Sequence, residues 1–131
     1  LRILPYPKGA AMKASCHCGA VVLEVQLLDG LGTAGRCTCS FCRRRAAPAV
    51  VAMKEDVSIV HGEDSLTLYH RGTQTARHHF CKICGIYMYH NQRANPDHIG
   101  VNMGTLEGVN PAEHEPIPWT DGINHPSDRK S

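Results

Sequence analysis

Three thiols lie within six positions of the chain, in the stretch Cys37-Thr38-Cys39-Ser40-Phe41-Cys42. Cys37 and Cys39 are two residues apart, so on an extended strand their sulfurs leave the same face, and Cys42 can return to them after a turn. Thiolates bind zinc at about 2.3 Å in a tetrahedron, and a site with three protein ligands keeps one position open for a substrate. The spacing therefore predicts that Cys37, Cys39 and Cys42 hold a catalytic zinc ion.

Four further cysteines form two pairs, Cys16-His17-Cys18-Gly19 and Cys81-Lys82-Ile83-Cys84-Gly85. The second pair has the spacing of a zinc knuckle, in which the glycine permits the tight bend. Two such pairs supply the four thiolates of a closed structural zinc site. The spacing alone leaves three arrangements of the cysteine pairs open. Free buried cysteines and a metal-free redox site are the alternatives to zinc.

Basic and titratable residues flank these motifs. His78 and His79 come just before the knuckle, and one of them is a candidate fourth ligand of the triad, although a strand histidine more often only forms hydrogen bonds. Arg43 and Arg44 follow the triad directly. Next to an anionic zinc–thiolate site, a guanidinium suits the carboxylates of a small acidic ligand, and a solvated arginine cluster is the ordinary alternative.

Length and composition indicate a single small domain. The chain has 131 residues, seven cysteines and a formal net charge of +2, which favours neither a nucleic acid nor a membrane as partner. Residues 1–11 are expected to be an N-terminal extension or a tag remnant, and residues 12–131 the domain. No apolar run reaches the ~18 residues of a membrane span. We expect a cytoplasmic, soluble protein whose cysteines serve metal binding.

Short segments of alternating apolar and polar residues recur along the chain, which is typical of an all-β domain. The triad is expected on a short strand that runs into one helical turn ending near Arg45. The segments on either side of the knuckle are expected to form a hairpin, and the prolines after Thr105 predict an irregular segment. The predicted strands cover residues 21–27, 49–53, 57–60, 66–70, 76–80, 86–90 and 99–103.

In order and rough spacing, these motifs resemble the glutathione-dependent formaldehyde-activating enzyme family, which includes centromere-protein-V-like proteins. The resemblance covers residues 12 to about 119 and uses all seven cysteines. It implies a mainly β fold of small stacked antiparallel sheets with zinc knuckles, shared with a guanine-nucleotide-releasing chaperone of small GTPases. It is carried by residues 15–20, 37–43, 62–66, 80–85 and 101–106.

Residue by residue, the resemblance implies two zinc sites. It implies that Cys16, Cys18, Cys81 and Cys84 form a structural site. It implies that Cys37, Cys39 and Cys42 form the catalytic one.

The expected chemistry follows from the charge of a three-thiolate zinc. Such a site carries a net charge of about −1, so it acidifies water poorly, whereas a soft thiol is a suitable fourth ligand that stays nucleophilic. With the resemblance, this predicts a carbon–sulfur lyase of the S-(hydroxymethyl)glutathione synthase type. It would join or separate a small thiol such as glutathione and a small aldehyde such as formaldehyde, with Arg43 and Arg44 binding the ligand. The alternative is a non-catalytic, zinc-stabilised binding module.

Overall fold

The computed structural model describes residues 11–70, 76–92 and 95–123. The described residues are mainly β, as predicted, with one short α-helix, α1 (Cys42–Arg45). Single 3₁₀ turns lie at Glu63–Ser65, Met103–Thr105 and Pro111–Glu113. The strands are β1 (Met12–Ser15), β2 (Val22–Leu27), β3 (Arg36–Cys37), β4 (Ala49–His61), β5 (Leu66–Tyr69), β6 (Arg77–Cys81), β7 (Tyr87–Asn91), β8 (His98–Asn102) and β9 (Trp119–Thr120).

Seven of these strands form one antiparallel sheet in the order β1-β2-β4-β8-β7-β6-β5. The long strand β4 joins its two parts, because its first residues pair with β8 and its later residues pair with β2. Beyond β8 the chain returns to the far edge of the sheet, where Leu106 bridges Ala14 of β1. The sheet therefore curls around its own core. The resemblance implied small stacked antiparallel sheets, whereas the described residues form one seven-stranded antiparallel sheet and one two-stranded sheet.

The core lies on the face that alternating strand residues share. Leu23, Val25 and Leu27 are buried along β2 while Glu24 is exposed, which confirms the strand predicted over residues 21–27. The same apolar cluster contains Met88 of β7 together with the sulfurs of two cysteines, Cys16 and Cys81. One pair of cysteine motifs is thus built into the core itself.

The hairpin predicted around the second knuckle is present as β6 and β7, and the triad lies on a short strand followed by the helical turn α1. Two predictions were wrong in detail. The strands expected at 49–53 and 57–60 form one strand. The exposed residues Lys54 and Glu55 between them stay in the extended strand conformation. Strand β1 was missed. Residues 1–10 of the extension predicted over residues 1–11 lie outside the described residues.

The irregular segment predicted after Thr105 ends in a small second sheet. Strand β9 pairs in parallel with β3, so that the Arg36 amide donates to the Pro118 carbonyl at 2.8 Å and the Thr38 amide donates to the Thr120 carbonyl at 3.0 Å. This pairing lays the segment 118–122 against the loop that carries the triad. None of the helices among the described residues is long and apolar enough to cross a membrane.

Candidate active site

Four thiols converge at the edge of the core. Each pair of cysteines sits on a tight turn, closed by hydrogen bonds from Gly19 to the Cys16 carbonyl at 3.2 Å and from Gly85 to the Cys81 carbonyl at 2.8 Å. Both glycines have positive φ, near 80°, which other residues rarely adopt. The folded chain thus brings two sequence-distant turns together. We call Cys16, Cys18, Cys81 and Cys84 the four-thiol cluster.

The geometry of the four-thiol cluster suits a metal ion. The sulfurs of Cys16 and Cys18 are 3.6 Å apart and those of Cys18 and Cys81 are 3.7 Å apart, close to the ~3.8 Å expected between thiolates of a tetrahedral zinc. Backbone amides of Cys18 and Ile86 lower the pKa of the Cys84 thiol to about 6. The backbone thus favours the thiolate form at Cys84, which is the form that binds metal. At Cys18, the Ala20 amide lowers the pKa of the thiol, but burial and the hydrogen bonds with the neighbouring sulfurs outweigh this effect and raise the pKa to about 11.

Three thiols converge at a second place, on the loop between β3 and the end of α1. The Cys39 amide lies 3.5 Å from the Cys37 sulfur, and the Cys42 amide donates to the Cys39 sulfur at 3.2 Å. The three sulfurs lie within 4.8 Å of one another, and all three residues are half-buried. We call Cys37, Cys39 and Cys42 the three-thiol cluster. Both clusters could hold a metal ion.

Crowding decides the electrostatics of the three-thiol cluster. The hydrogen bond between Cys42 and Cys37 and the burial of Cys42 raise the pKa of the Cys42 thiol far above the ordinary value. The positive charge of Arg45 opposes this effect. Neighbouring groups that would carry like charge cannot all ionise cheaply. Three thiolates in this space therefore require a cation among them or beside them.

A cavity of about 830 Å³ opens beside the three-thiol cluster. All three cysteines line it, whereas no residue of the four-thiol cluster does. Besides the cysteines, the charged and titratable side chains around it come from β3, α1, β5, β6, β7 and the segment after β9. They are Arg36, Arg43, Arg45, Tyr69, His78, His90 and Asp121. A small molecule in this cavity would contact the three-thiol cluster alone.

The segment 118–122 covers one side of the three-thiol cluster. The Gly122 amide donates to the Thr38 hydroxyl at 3.0 Å. A Cβ at Gly122 would collide with the Cys37 sulfur and lie 2.9 Å from the Cys39 backbone nitrogen, so only glycine fits. Just before this segment, the Glu115 carboxylate accepts two hydrogen bonds from the Arg36 guanidinium, at 2.8 and 3.2 Å.

The arginines after the triad take three different positions. Arg43 is exposed and lines the cavity. Arg44 is exposed, hydrogen-bonds the Ser40 carbonyl and lies outside the cavity lining. Arg45 is half-buried, lines the cavity and approaches the Cys42 sulfur at 3.9 Å. The geometry is thus compatible with the predicted ligand-binding role for Arg43 and gives Arg44 no place in the cavity.

The two histidines considered as a fourth ligand face different surroundings, as adjacent strand residues do. His78 contacts Arg45, with Nδ1 3.2 Å from Nη1, and its ring lies 4.4 Å from that of Phe41. His79 stacks on Tyr89 at 4.3 Å. Among the described residues, neither joins the three sulfurs as a converging donor. Burial and then Arg45 lower the pKa of His78 to about 4, so this imidazole is neutral at neutral pH.

His90 is a further cavity residue, held by Tyr87. The Tyr87 hydroxyl lies 2.5 Å from His90 Nδ1 and donates to the Gly100 carbonyl at 3.2 Å. Burial, followed by Arg45 and His78, lowers the pKa of His90 to about 3. A Cβ at Gly100 would collide with the His90 ring. The absence of a side chain at Gly100 therefore makes room for this ring. His90 is therefore a fixed, neutral imidazole in the cavity wall.

The profile of the family described as "Glutathione-dependent formaldehyde-activating enzyme" matches residues 11–120. The chain belongs to this family. A protein of Halomonas elongata named "Putative glutathione-dependent formaldehyde-activating enzyme" is 32% identical over 81 residues, which cover 56% of this chain and 51% of the relative. The chain thus matches about half the length of that curated relative. A crystal structure of a Rhodobacter sphaeroides protein is 55% identical with a TM-score of 0.81, and the match covers 83% of this chain and 100% of that chain.

Sequence reasoning missed His90 and Gly122 as parts of the site, and it considered Arg45 only as a member of the basic cluster Arg43-Arg44-Arg45, a candidate binder of ligand carboxylates. A signal existed for Arg45, because it lies three residues after Cys42 and a helical turn brings such residues to one face. No local signal marks His90 or Gly122. They reach the cavity through strand pairing and through the return of the chain to β3.

Proposed function

We propose that the protein is a zinc-dependent enzyme that forms or cleaves an adduct between a glutathione-like thiol and a formaldehyde-like aldehyde. One observation carries the proposal. The three-thiol cluster forms part of the wall of a cavity whose ~830 Å³ falls within the ~300–1,000 Å³ typical of small-molecule sites, while the other four thiols close on one another. Membership of the family supports the choice of thiol and aldehyde.

The donor sets of both clusters fit zinc, since soft thiolates at close, convergent spacing select this metal over magnesium or calcium. A four-thiolate site is closed, whereas a three-thiolate site keeps a position for a ligand. Zinc bound at Cys37, Cys39 and Cys42 would supply a Lewis acid that favours the thiolate form of the incoming thiol.

The charged side chains of the cavity favour an anionic ligand. Arg43 is exposed on the cavity wall, where its guanidinium can pair with a carboxylate of the thiol ligand. Arg36 is already paired with Glu115 and serves to hold the segment 118–122. Among the described residues that line the cavity, Asp121 is the single carboxylate. Recognition of the ligand is thus assigned to Arg43.

The proposed reaction needs no oxidant or reductant. In the forming direction the thiol sulfur bonds to the carbonyl carbon, the carbon–oxygen π pair moves to oxygen, and the proton lost by the thiol ends on that oxygen. A general acid–base group works best when its pKa lies near the working pH. The pKa of His90 is about 3, so this neutral imidazole can form a hydrogen bond in the cavity but is a poor carrier of the proton.

The substitution Cys42→Ser tests the proposal. Formation of the hydroxymethyl thiol from labelled formaldehyde and glutathione is followed by NMR, with the uncatalysed rate subtracted. We expect the catalysed rate to fall by about a hundredfold or more, since metal Lewis acids contribute several kcal/mol. The matched control is Arg44→Gln, outside the cavity lining, which should keep the wild-type rate. An unchanged rate in folded Cys42→Ser that binds one zinc would contradict the proposal.

We also propose a reducing, cytoplasmic location. All seven cysteines are free thiols, and both clusters bind metal only in this form. Fractionation of the native host would test this, and recovery with oxidising, extracytoplasmic fractions would contradict it.

A further inference from the structure

Arg45 is the last residue of α1, and Cys42 is its first. Residues three apart on a helical turn share a face, so the Arg45 side chain returns over Cys42. Its Nη2 lies 3.9 Å from the Cys42 sulfur. The guanidinium is therefore a direct neighbour of one of the three thiols.

The guanidinium is held in place by rings on both sides. Its central carbon lies 3.5 Å from the centroid of the Tyr87 ring and 4.9 Å from that of Phe41. Its Nη1 lies 3.2 Å from His78 Nδ1. Its Nε is buried and has no hydrogen-bond partner among the described residues. Such a fixed, stacked position is unlike that of an arginine solvated at the surface.

The charge of Arg45 needs a partner. An arginine stays protonated in proteins, and a buried charge is costly unless an opposite charge lies near it. Within residues 11–70, 76–92 and 95–123, the ion pairs with carboxylates involve Arg36 and Lys54 and not Arg45. Three thiolates around a divalent metal carry a net charge of about −1, and Cys42 places that charge beside the guanidinium.

We propose that Arg45 is the positioning residue and counter-charge of the three-thiol metal centre. The guanidinium orients the Cys42 sulfur and offsets the negative charge of the loaded site, while Tyr87 and Phe41 hold it there. This inference rests on the proposed metal at the three-thiol cluster. It adds a role for a residue that binds neither the metal nor the ligand.

Competition for zinc against a chromophoric chelator tests the inference, using the wild-type protein, Arg45→Met, Arg45→Lys and the control Arg44→Met. Partners that support metal ligands typically contribute 10- to 100-fold to metal affinity. We expect Arg45→Met to weaken the zinc of the three-thiol cluster by about that factor. Arg45→Lys should recover part of the loss because it keeps the charge, and Arg44→Met should change nothing. The zinc of the four-thiol cluster is an internal control that stays unchanged.

Cobalt in place of zinc gives a second readout. The sulfur-to-cobalt charge-transfer band of the three-thiol cluster should shift in Arg45→Met and return towards the wild-type position in Arg45→Lys. A role limited to ring stacking would not be rescued by lysine, which lacks the planar group. Equal band positions in the wild type and Arg45→Met would contradict the inference.

The outcomes separate this inference from the proposed function. Two zincs per chain in the wild type, with affinities in Arg45→Met within twofold of the wild type, would overturn the role of Arg45 alone. A single zinc in the wild type would overturn the metal at the three-thiol cluster as well. If Arg45→Met does not fold, the Arg45 Nε–H signal is followed by NMR in the wild type. It is assigned as the arginine signal that is absent from the spectrum of Arg45→Lys. It should shift with the second zinc equivalent, and no shift would overturn the inference.

Discussion

The two thiol clusters share a chemistry and differ in their surroundings. The four-thiol cluster joins two turns at the edge of the core, with Cys16 and Cys81 buried and the remaining two thiols completing the set. The three-thiol cluster is half-buried, lines a cavity, and is flanked by an arginine and neutral imidazoles. The first arrangement could supply all four ligands of a tetrahedral metal ion. The second leaves room for a ligand.

Besides the number of thiols, the two clusters differ in the side chains around the sulfurs. Backbone amides approach sulfur in both clusters, at 3.2 Å for Val21 to Cys16 in the first and at 3.2 Å for Cys42 to Cys39 in the second. In the three-thiol cluster, side chains with charge and exchangeable protons occupy the corresponding space. This contrast is the basis for the proposed division into a structural and a functional cluster.

The largest contrast is expected between Cys81→Ser and Cys42→Ser. Structural zinc contributes on the order of 10 kcal/mol to folding, comparable with the whole stability of a domain, so Cys81→Ser should unfold the protein. Cys42→Ser should remain folded with one zinc fewer. Circular dichroism melts and zinc counts on the purified variants measure both effects.

An equal loss of melting temperature in these two variants would contradict the division into a structural and a functional cluster. A Cys42→Ser protein that still binds two zincs would contradict the assignment of Cys42 as a ligand.

A smaller effect, confined to the three-thiol cluster, is expected from Gly122→Ala. The added methyl would collide with the Cys37 sulfur, so either that sulfur or the segment 118–122 must move. We expect the zinc of the three-thiol cluster to weaken by about tenfold or more, as for other changes next to metal ligands. Chelator competition measures this. The four-thiol cluster should keep its zinc.

Gly104→Ala is the matched control, because a Cβ there lies in ordinary contact, 3.5 Å from the nearest atom. Wild-type zinc affinity in Gly122→Ala would show that the segment 118–122 does not constrain the three-thiol cluster.

The effect that is smallest near neutral pH concerns the titration of His90 in acid. The folded-state pKa of His90 is about 3, below the ordinary value of 6.5, so the unfolded chain binds a proton that the folded chain does not between these values. Stability from this source is present above pH 6.5 and is lost as the pH falls towards 3, by up to about 1.4 kcal/mol per pH unit. His90→Gln should therefore flatten the dependence of the unfolding free energy on pH between 6.5 and 4.

Urea unfolding at equal zinc loading measures the pH dependence of the unfolding free energy of each protein. Both proteins release metal in acid, so subtracting one pH dependence from the other cancels this shared contribution. His114→Gln, at an exposed position, is the control and should keep the wild-type slope. Equal slopes in His90→Gln and the wild type would contradict the lowered pKa.

The sequence predicted the features that depend on local spacing. Alternation located β2 and the β6–β7 hairpin, because one face of each strand is buried and the other is not. The cysteine spacing predicted metal binding, and the resemblance grouped the seven thiols as the structure does. The roles of those thiols as structural and catalytic ligands stay predictions.

The parts that escaped prediction depend on contacts between distant residues. Gly122 reaches Thr38 across 84 positions, and nothing near either residue marks the contact. Strand β4 continues through Lys54 and Glu55 because its partners change from β8 to β2 there, which local polarity cannot show. The helical turn places Arg43 and Arg45 on the cavity and Arg44 outside its lining. That turn was predicted, but its consequence for Arg45 beside Cys42 was not drawn.

The central claim is that one cluster is closed and the other open to a thiol. Zinc per chain, and its release to a chelator with and without glutathione, tests this most directly on freshly reduced protein. We expect two zincs per chain. One should be released slowly, at a rate that does not depend on glutathione, and the other should be released faster, at a rate that glutathione changes. One zinc per chain, or two that leave together and ignore glutathione, would contradict the account and favour a zinc-stabilised binding module.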